Sequence, residues 1–415
     1  MLARHGRCAQ GPGMRNRRHV APRLPMALLA AIGSALVLAS CSGTTTGPTD
    51  GGAASTQTLT DPLQTTLTTP AGSWAVLAMG ELHEAANTFW QLFFRPATSL
   101  RWSLVTPPGV ADNGGLAVGG ATGKGLTVGV EPSDLLEFSP IAQTTDGGAS
   151  WTPGALAHGL SAFPDALAGS PGGALLALVR AGGGEVLAST GDPSAWTEIL
   201  NRDKLSASAA GRACLVAGLT SVAVDSGGQD LVGARCAKSG VVGVFSKDAG
   251  SWGLLGPRLP PVLSTGATEV LRLSTDGASK TVTALVAVAT RTGTSIVALW
   301  GAEDGAEWQQ SEPLSIANDE QIVSTGIAGG GEIVLLTKDN RGALHLATVA
   351  ESSQAWRSLP SPPSETAGVV LGGNGSVEAL AVNGSKFTDW RFNPDSGVWG
   401  SVQTMTVPIV YGSSS

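Results

Sequence analysis

Seven tryptophans recur along this chain at a near-constant interval: Trp102, Trp151, Trp196, Trp252, Trp308, Trp356 and Trp399 stand 49, 45, 56, 56, 48 and 43 residues apart. Such a mark restricts the fold more than any local motif, because it calls for one structural unit copied along the chain and stacked on its neighbours. Between the tryptophans lie short apolar or β-branched runs, such as Ala174-Leu175-Leu176-Ala177-Leu178-Val179 and Glu332-Ile333-Val334-Leu335-Leu336-Thr337. They are separated by Gly183-Gly184, Gly227-Gly228, Asp339-Asn340-Arg341-Gly342 and Asn383-Gly384, residues suited to the positive φ of hairpin turns. No stretch keeps a helical period. Each interval is long enough for four short strands, so the expected fold is all-β, a seven-bladed β-propeller of four-stranded antiparallel blades over residues 73–415. Residues 73–80 and 88–95 read as two strands before Trp102. A further strand of that blade would come from residues 404–411 or from residues near 58–63.

The residues before the tryptophans repeat as well. Thr144-Thr145-Asp146-Gly147-Gly148-Ala149-Ser150-Trp151 holds Ser/Thr-x-Asp-x-Gly-x-Ser/Thr-Trp at every fixed position, and Ser246-Lys247-Asp248-Ala249-Gly250-Ser251-Trp252 holds it with one residue deleted. Asp192, Asp304-Gly305 and Asp395-Ser396-Gly397 are weaker echoes before Trp196, Trp308 and Trp399. The pattern resembles the Asp-box (BNR) propellers, a group that includes sialidases and photosystem assembly factors, over residues 73–412. The resemblance implies that Asp146, Gly148, Trp151, Asp248, Gly250 and Trp252 are structural. The Asp accepts hydrogen bonds from turn amides, the Gly takes a backbone conformation closed to other residues, and the Trp packs between blades.

The N-terminal 40 residues read as an address. Arg4, Arg7, Arg15, Arg17, Arg18 and Arg23 precede a mostly apolar run from Met26 to Ala39, too short for a permanent membrane span. Leu38-Ala39-Ser40-Cys41 then resembles the bacterial lipobox, which implies lipidation of the Cys41 thiol and cleavage before it, with acyl chains anchoring the protein to the outer face of a membrane. Arg17-Arg18 leaves the export route open. Residues 41–72, rich in Thr, Ser, Gly and Pro, form a flexible tether with a span of about 30 Å. Cys214 and Cys236 are the pair left in the mature domain, either a disulfide, which export favours, or two buried thiols.

From Cys41 onward the net charge is −13, which argues against nucleic acid as a partner. Sialidase chemistry needs an Arg triad and a Tyr nucleophile. The one Tyr is Tyr411, and Phe94-Arg95-Pro96 only imperfectly echoes the sialidase Arg motif. Glu81, His83 and Glu84 form the densest group of metal-ligand type, but a solvated loop is the simpler reading, so no metal and no cofactor is expected. No esterase elbow, phosphate loop or zinc-protease motif occurs. The expected function is therefore a membrane-anchored, extracytoplasmic binding or scaffold protein that recognises a protein or a cell-envelope glycan through a propeller face. The alternative is a glycan-active hydrolase or lyase.

Overall fold

The strand Thr281–Thr290 shows how sequence becomes architecture here. Apart from Leu285 its residues are β-branched or small, and side chains alternate between two faces. Val282, Ala284, Val286 and Val288 enter one apolar cluster, while Leu285 and Ala287 enter another. Burial on both faces is why such strands read as continuous apolar runs.

A computed structural model describes residues 65–409 apart from 83–86, 109–115, 120–123, 131–138, 153–157, 161, 171–172, 182–183, 191–194, 264–265, 291–292 and 373–374. The strands form successive antiparallel meanders of four: residues 66–104, 116–160, 166–201, 216–254, 268–310, 321–359 and 366–406. The fold is almost entirely β and propeller-like. Two short helices, Arg202–Ala207 and Ala209–Cys214, link the third meander to the fourth. Among the described residues, no helix is long and apolar enough to cross a membrane.

Two expectations need correction. The fourth and fifth meanders are not separate four-stranded sheets. Arg235 and Cys236 pair with Glu269 and Thr268, merging both meanders and the strand Leu314–Ile316 into one nine-stranded sheet. The Arg235–Glu269 ion pair, at 2.7 Å, sits on this junction. Nor, among the described residues, does the C-terminus lend a strand to the first meander. Val398–Thr406 pairs with Lys386–Asn393 inside the last one. The first strand is Thr66–Thr69, within the stretch expected to be tether, and it pairs with Gly72–Gly80. Residues 1–64, including Cys41, lie outside the described residues.

Apolar clusters fill the interfaces between consecutive meanders, and each contains one tryptophan of the periodic series. Trp151 packs between the first and second meanders, Trp196 between the second and third, and Trp252 between the third and fourth. Trp308, Trp356 and Trp399 continue the series, and Trp102 lies between the last meander and the first. The succession therefore closes on itself. Cys214 and Cys236 are bridged, with their Cα atoms 5.0 Å apart. The disulfide ties the linking helices to the fourth meander.

Candidate functional site

The turn at Asp146 is built from its own side chains. The carboxylate accepts hydrogen bonds from Ser150 Oγ (2.5 Å), the Ser150 amide (2.8 Å) and Thr144 Oγ1 (2.8 Å), which hold its pKa down at about 2. Gly147 and Gly148 take φ of +80° and +82°, and a Cβ on Gly148 would lie 2.5 Å from Val105 Cβ. Trp151 then donates from Nε1 to the Val105 carbonyl of the preceding meander at 3.1 Å. Trp308 does the same to Leu255 and Trp399 to Pro360, each at 3.1 Å. These indoles join neighbouring meanders.

Asp248 departs from the expected role. The deleted residue leaves a two-residue hairpin, Ala249-Gly250, with φ of 46° and 84°. Both values suit a tight I′-type turn, so no amide is presented to the carboxylate. The Ser251 hydroxyl donates to the Asp248 main-chain carbonyl instead, at 3.1 Å. Trp252 still packs in the interface.

Arg95 is committed to the fold. Its Nη1 donates to Glu378 Oε1 at 2.7 Å, the same oxygen that accepts from Arg391 Nε (3.1 Å) and Nη2 (2.6 Å). A guanidinium so held cannot clamp a substrate carboxylate. Glu81 is exposed and accepts from Asn87 Nδ2 at 3.0 Å. Asp192, His83, Glu84 and Tyr411 lie outside the described residues. Among the described residues, no group of three or more His, Cys, Asp or Glu is placed to hold a metal.

The cavity with the most chemistry opens where the first strands of several meanders end. It measures about 340 Å³ and is walled by residues 67–70, 167–169, 222–226, 273–278 and Gly329. Two carboxylates, Asp225 and Asp276, line it with Thr68, Thr69, Ser226, Ser274 and Thr275, and no Lys or Arg is among its lining residues. Asp225 is 5% exposed, and its Oδ1 accepts from the Gln229 amide at 2.7 Å, while no donor reaches Oδ2 among the described residues. Asp276 accepts from the Ala278 amide at 3.0 Å and from Ser279 Oγ at 2.8 Å. Both carboxylates thus serve hairpin turns and face the cavity. Such a lining suits a neutral, hydroxyl-rich ligand and disfavours a phosphorylated one, since carboxylates accept from hydroxyls and repel dianions. Sequence reasoning missed this pair because each sits in an ordinary Asp/Gly turn. Their common place at the end of the first strand of adjacent repeats was the available signal.

No family model matches the chain, and no curated protein sequence matches it. Solved structures do. A candidate 6-phosphogluconolactonase from Bacteroides fragilis aligns with TM-score 0.52 and 11% identity over 83% of this chain and 97% of its own. A second, from Bacteroides uniformis, aligns with TM-score 0.51 and 9% identity over 82% and 98%. A protein from Lactobacillus plantarum aligns with TM-score 0.50 and 11% identity over 81% and 97%. At this identity the likeness establishes the fold alone. The expectation of a non-catalytic binding or scaffold protein is nevertheless corrected here. Two of these nearly full-length neighbours are described as 6-phosphogluconolactonases, a hydrolase class.

Proposed function

We propose that the protein is a hydrolase of small, uncharged, hydroxyl-rich carbohydrate derivatives such as sugar lactones or glycosides. It works in the cavity that Asp225 and Asp276 line. The observation that carries this reading is the Asp225 carboxylate, oriented through one oxygen by a backbone amide and left with the other for a substrate or a water. A carboxylate so held can act as a general base, and Asp276 across the lining is a candidate acid partner. The cavity volume lies near the lower end of the range of roughly 300–1,000 Å³ usual for small-molecule sites. The lactonase descriptions of the structural neighbours point to the same broad reaction class. The absence of a lining cation separates this substrate from a phosphorylated one.

The test is turnover by the purified full chain of a panel of neutral sugar lactones and glycosides, next to phosphorylated counterparts. Asp225→Asn is expected to lower kcat/KM by about 100-fold or more while leaving the unfolding transition in place. Unchanged turnover in that variant removes the cavity from the mechanism. A preference for the phosphorylated substrate would contradict the charge argument.

In this reading the meanders are seven blades of a closed ring, and the Asp146 turn is an Asp-box. The ring is exported and held by lipid on Cys41, with residues 41–65 as tether. Cys41→Ser is expected to move the protein from the membrane fraction to the soluble fraction. Retention in the membrane fraction would refute the anchor.

A further inference from the structure

The last and first meanders meet where the succession closes. Among the described residues their sheets stay separate, so the contact is held by side chains and a few cross-junction hydrogen bonds. The Gly80 amide donates to the Gly384 carbonyl at 3.0 Å, and Thr68 Oγ1 donates to the Leu371 carbonyl at 2.9 Å. The Gln403 side chain accepts from the Trp102 amide at 2.7 Å and donates to the Trp102 carbonyl at 3.0 Å.

Behind these bonds lies a buried polar group. Glu378 and Asp389 are both 0% exposed, and Arg95 is 7% exposed with its guanidinium 5.3 Å above the Trp102 ring. Both guanidinium groups donate to one oxygen, Glu378 Oε1, and Arg95 Nη2 also reaches Ser73 Oγ at 3.5 Å. Glu378 Oε2, both carboxyl oxygens of Asp389, Arg95 Nε and Trp102 Nε1 are left without a hydrogen-bond partner. Buried polar atoms without partners are rare in native proteins, and here they gather at one place. Three are carboxyl oxygens. One added proton would turn an orphan acceptor into a donor for another.

The charged groups that act on Asp389 are Glu378, Arg95 and Arg391. Glu378 faces it diagonally across the sheet from Val377–Asn383, because Leu380 is its direct partner. Arg391 lies two residues along its own strand, and Arg95 comes from Thr88–Pro96 of the first meander. The opposing strand supplies the neutral Gln403, and Trp102 supplies an indole that lies near without reaching hydrogen-bonding geometry.

We infer that this junction is a proton-operated latch, in which Asp389 is buried in its protonated form, bonded to Glu378 when the first and last meanders are closed, and loosens the junction when it ionises. Burial first, and the nearby Glu378 carboxylate second, push the Asp389 pKa up to about 7, against the pull of Arg95 and Arg391. The direction follows from linkage. The closed junction binds the proton more tightly than an opened, hydrated one with an ordinary carboxyl near 3.8, so closure is favoured at low pH and weakens as pH rises towards about 7.

The experiment is hydrogen exchange in the full chain at pH 6 and pH 8, corrected for intrinsic rates. The Gly80 and Trp102 amides report the junction, and the Leu255 amide, bonded to the Val244 carbonyl within the fourth meander, is the reference. Release of one proton on opening predicts that junction protection, relative to the reference, falls by about tenfold between these pH values. In Asp389→Asn it should not change. A pH-independent ratio in the natural protein, or the same fall in the variant, overturns the latch. If the variant does not fold, infrared spectroscopy of the natural protein still decides. A protonated-carboxyl stretch present at pH 6 and reduced at pH 8 supports the latch, and its absence at pH 6 overturns it.

Discussion

Glu378→Gln is expected to destabilise the protein by about 3–5 kcal/mol, measured as the loss of unfolding free energy in urea. Glu378 is 0% exposed and its Oε1 is the acceptor for Arg95 and Arg391 together. The amide keeps the shape of the carboxylate and removes the charge, leaving two guanidinium groups at a buried junction with no committed anion. Removing one partner of a buried ion pair is far more damaging than replacing the whole group with apolar residues, because the remaining charge stays desolvated. Replacing Arg95, Glu378 and Arg391 together by apolar residues should therefore cost less than the single change suggests. A loss below about 1 kcal/mol in the single variant would mean that Asp389 ionises and takes over both cations, which would also count against the latch.

Trp300→Ala is expected to cost about 3–5 kcal/mol, and Trp300→Phe to recover most of it. Trp300 is 1% exposed, lies in the interface between the fifth and sixth meanders, and donates from Nε1 to the Gly331 carbonyl at 2.7 Å. Gly331 has φ of +75°, and a Cβ there would stand 2.9 Å from the Trp300 ring, so the turn and the indole fit only together. The alanine variant loses both the apolar burial and this hydrogen bond, with a void that the sheets can close only in part. The phenylalanine variant loses chiefly the hydrogen bond, worth about 1 kcal/mol plus the penalty of an unpaired carbonyl. Equal losses for the two variants in urea unfolding would show that the hydrogen bond, and not the volume, dominates the site.

The contrast between Trp300 and the periodic tryptophans shows what could be read early. Trp151, Trp308 and Trp399 recur because each performs the same local task at the same step of a repeat, a turn followed by a bond to the preceding meander. Trp300 fills one interface and has no counterpart at a fixed interval. Asp146 and Asp248 make the same point within a motif. Both were legible as turn residues, but one deleted residue changes the hairpin, and only Asp146 receives the turn amide. The reading of a non-catalytic scaffold came from missing motifs, and in a fold of this kind that is weak evidence. Asp225 and Asp276 come from different repeats and meet at one cavity without any linear signature.

The amino-acid sequence by itself determined the alternation that makes strands, the glycine turns that make hairpins, and the tryptophan spacing that stacks one meander on the next. All three depend on residues near one another in the chain, where steric and packing constraints act over a few positions. Tertiary structure alone decided how the succession closes, which strands merge across Cys236 and Thr268, and where buried charge accumulates. Arg95 and Glu378 are 283 residues apart, and neither carries any local mark of the other. Their pairing exists because closure brings the third strand of the first meander onto the last, where low dielectric makes each charge depend on its partner.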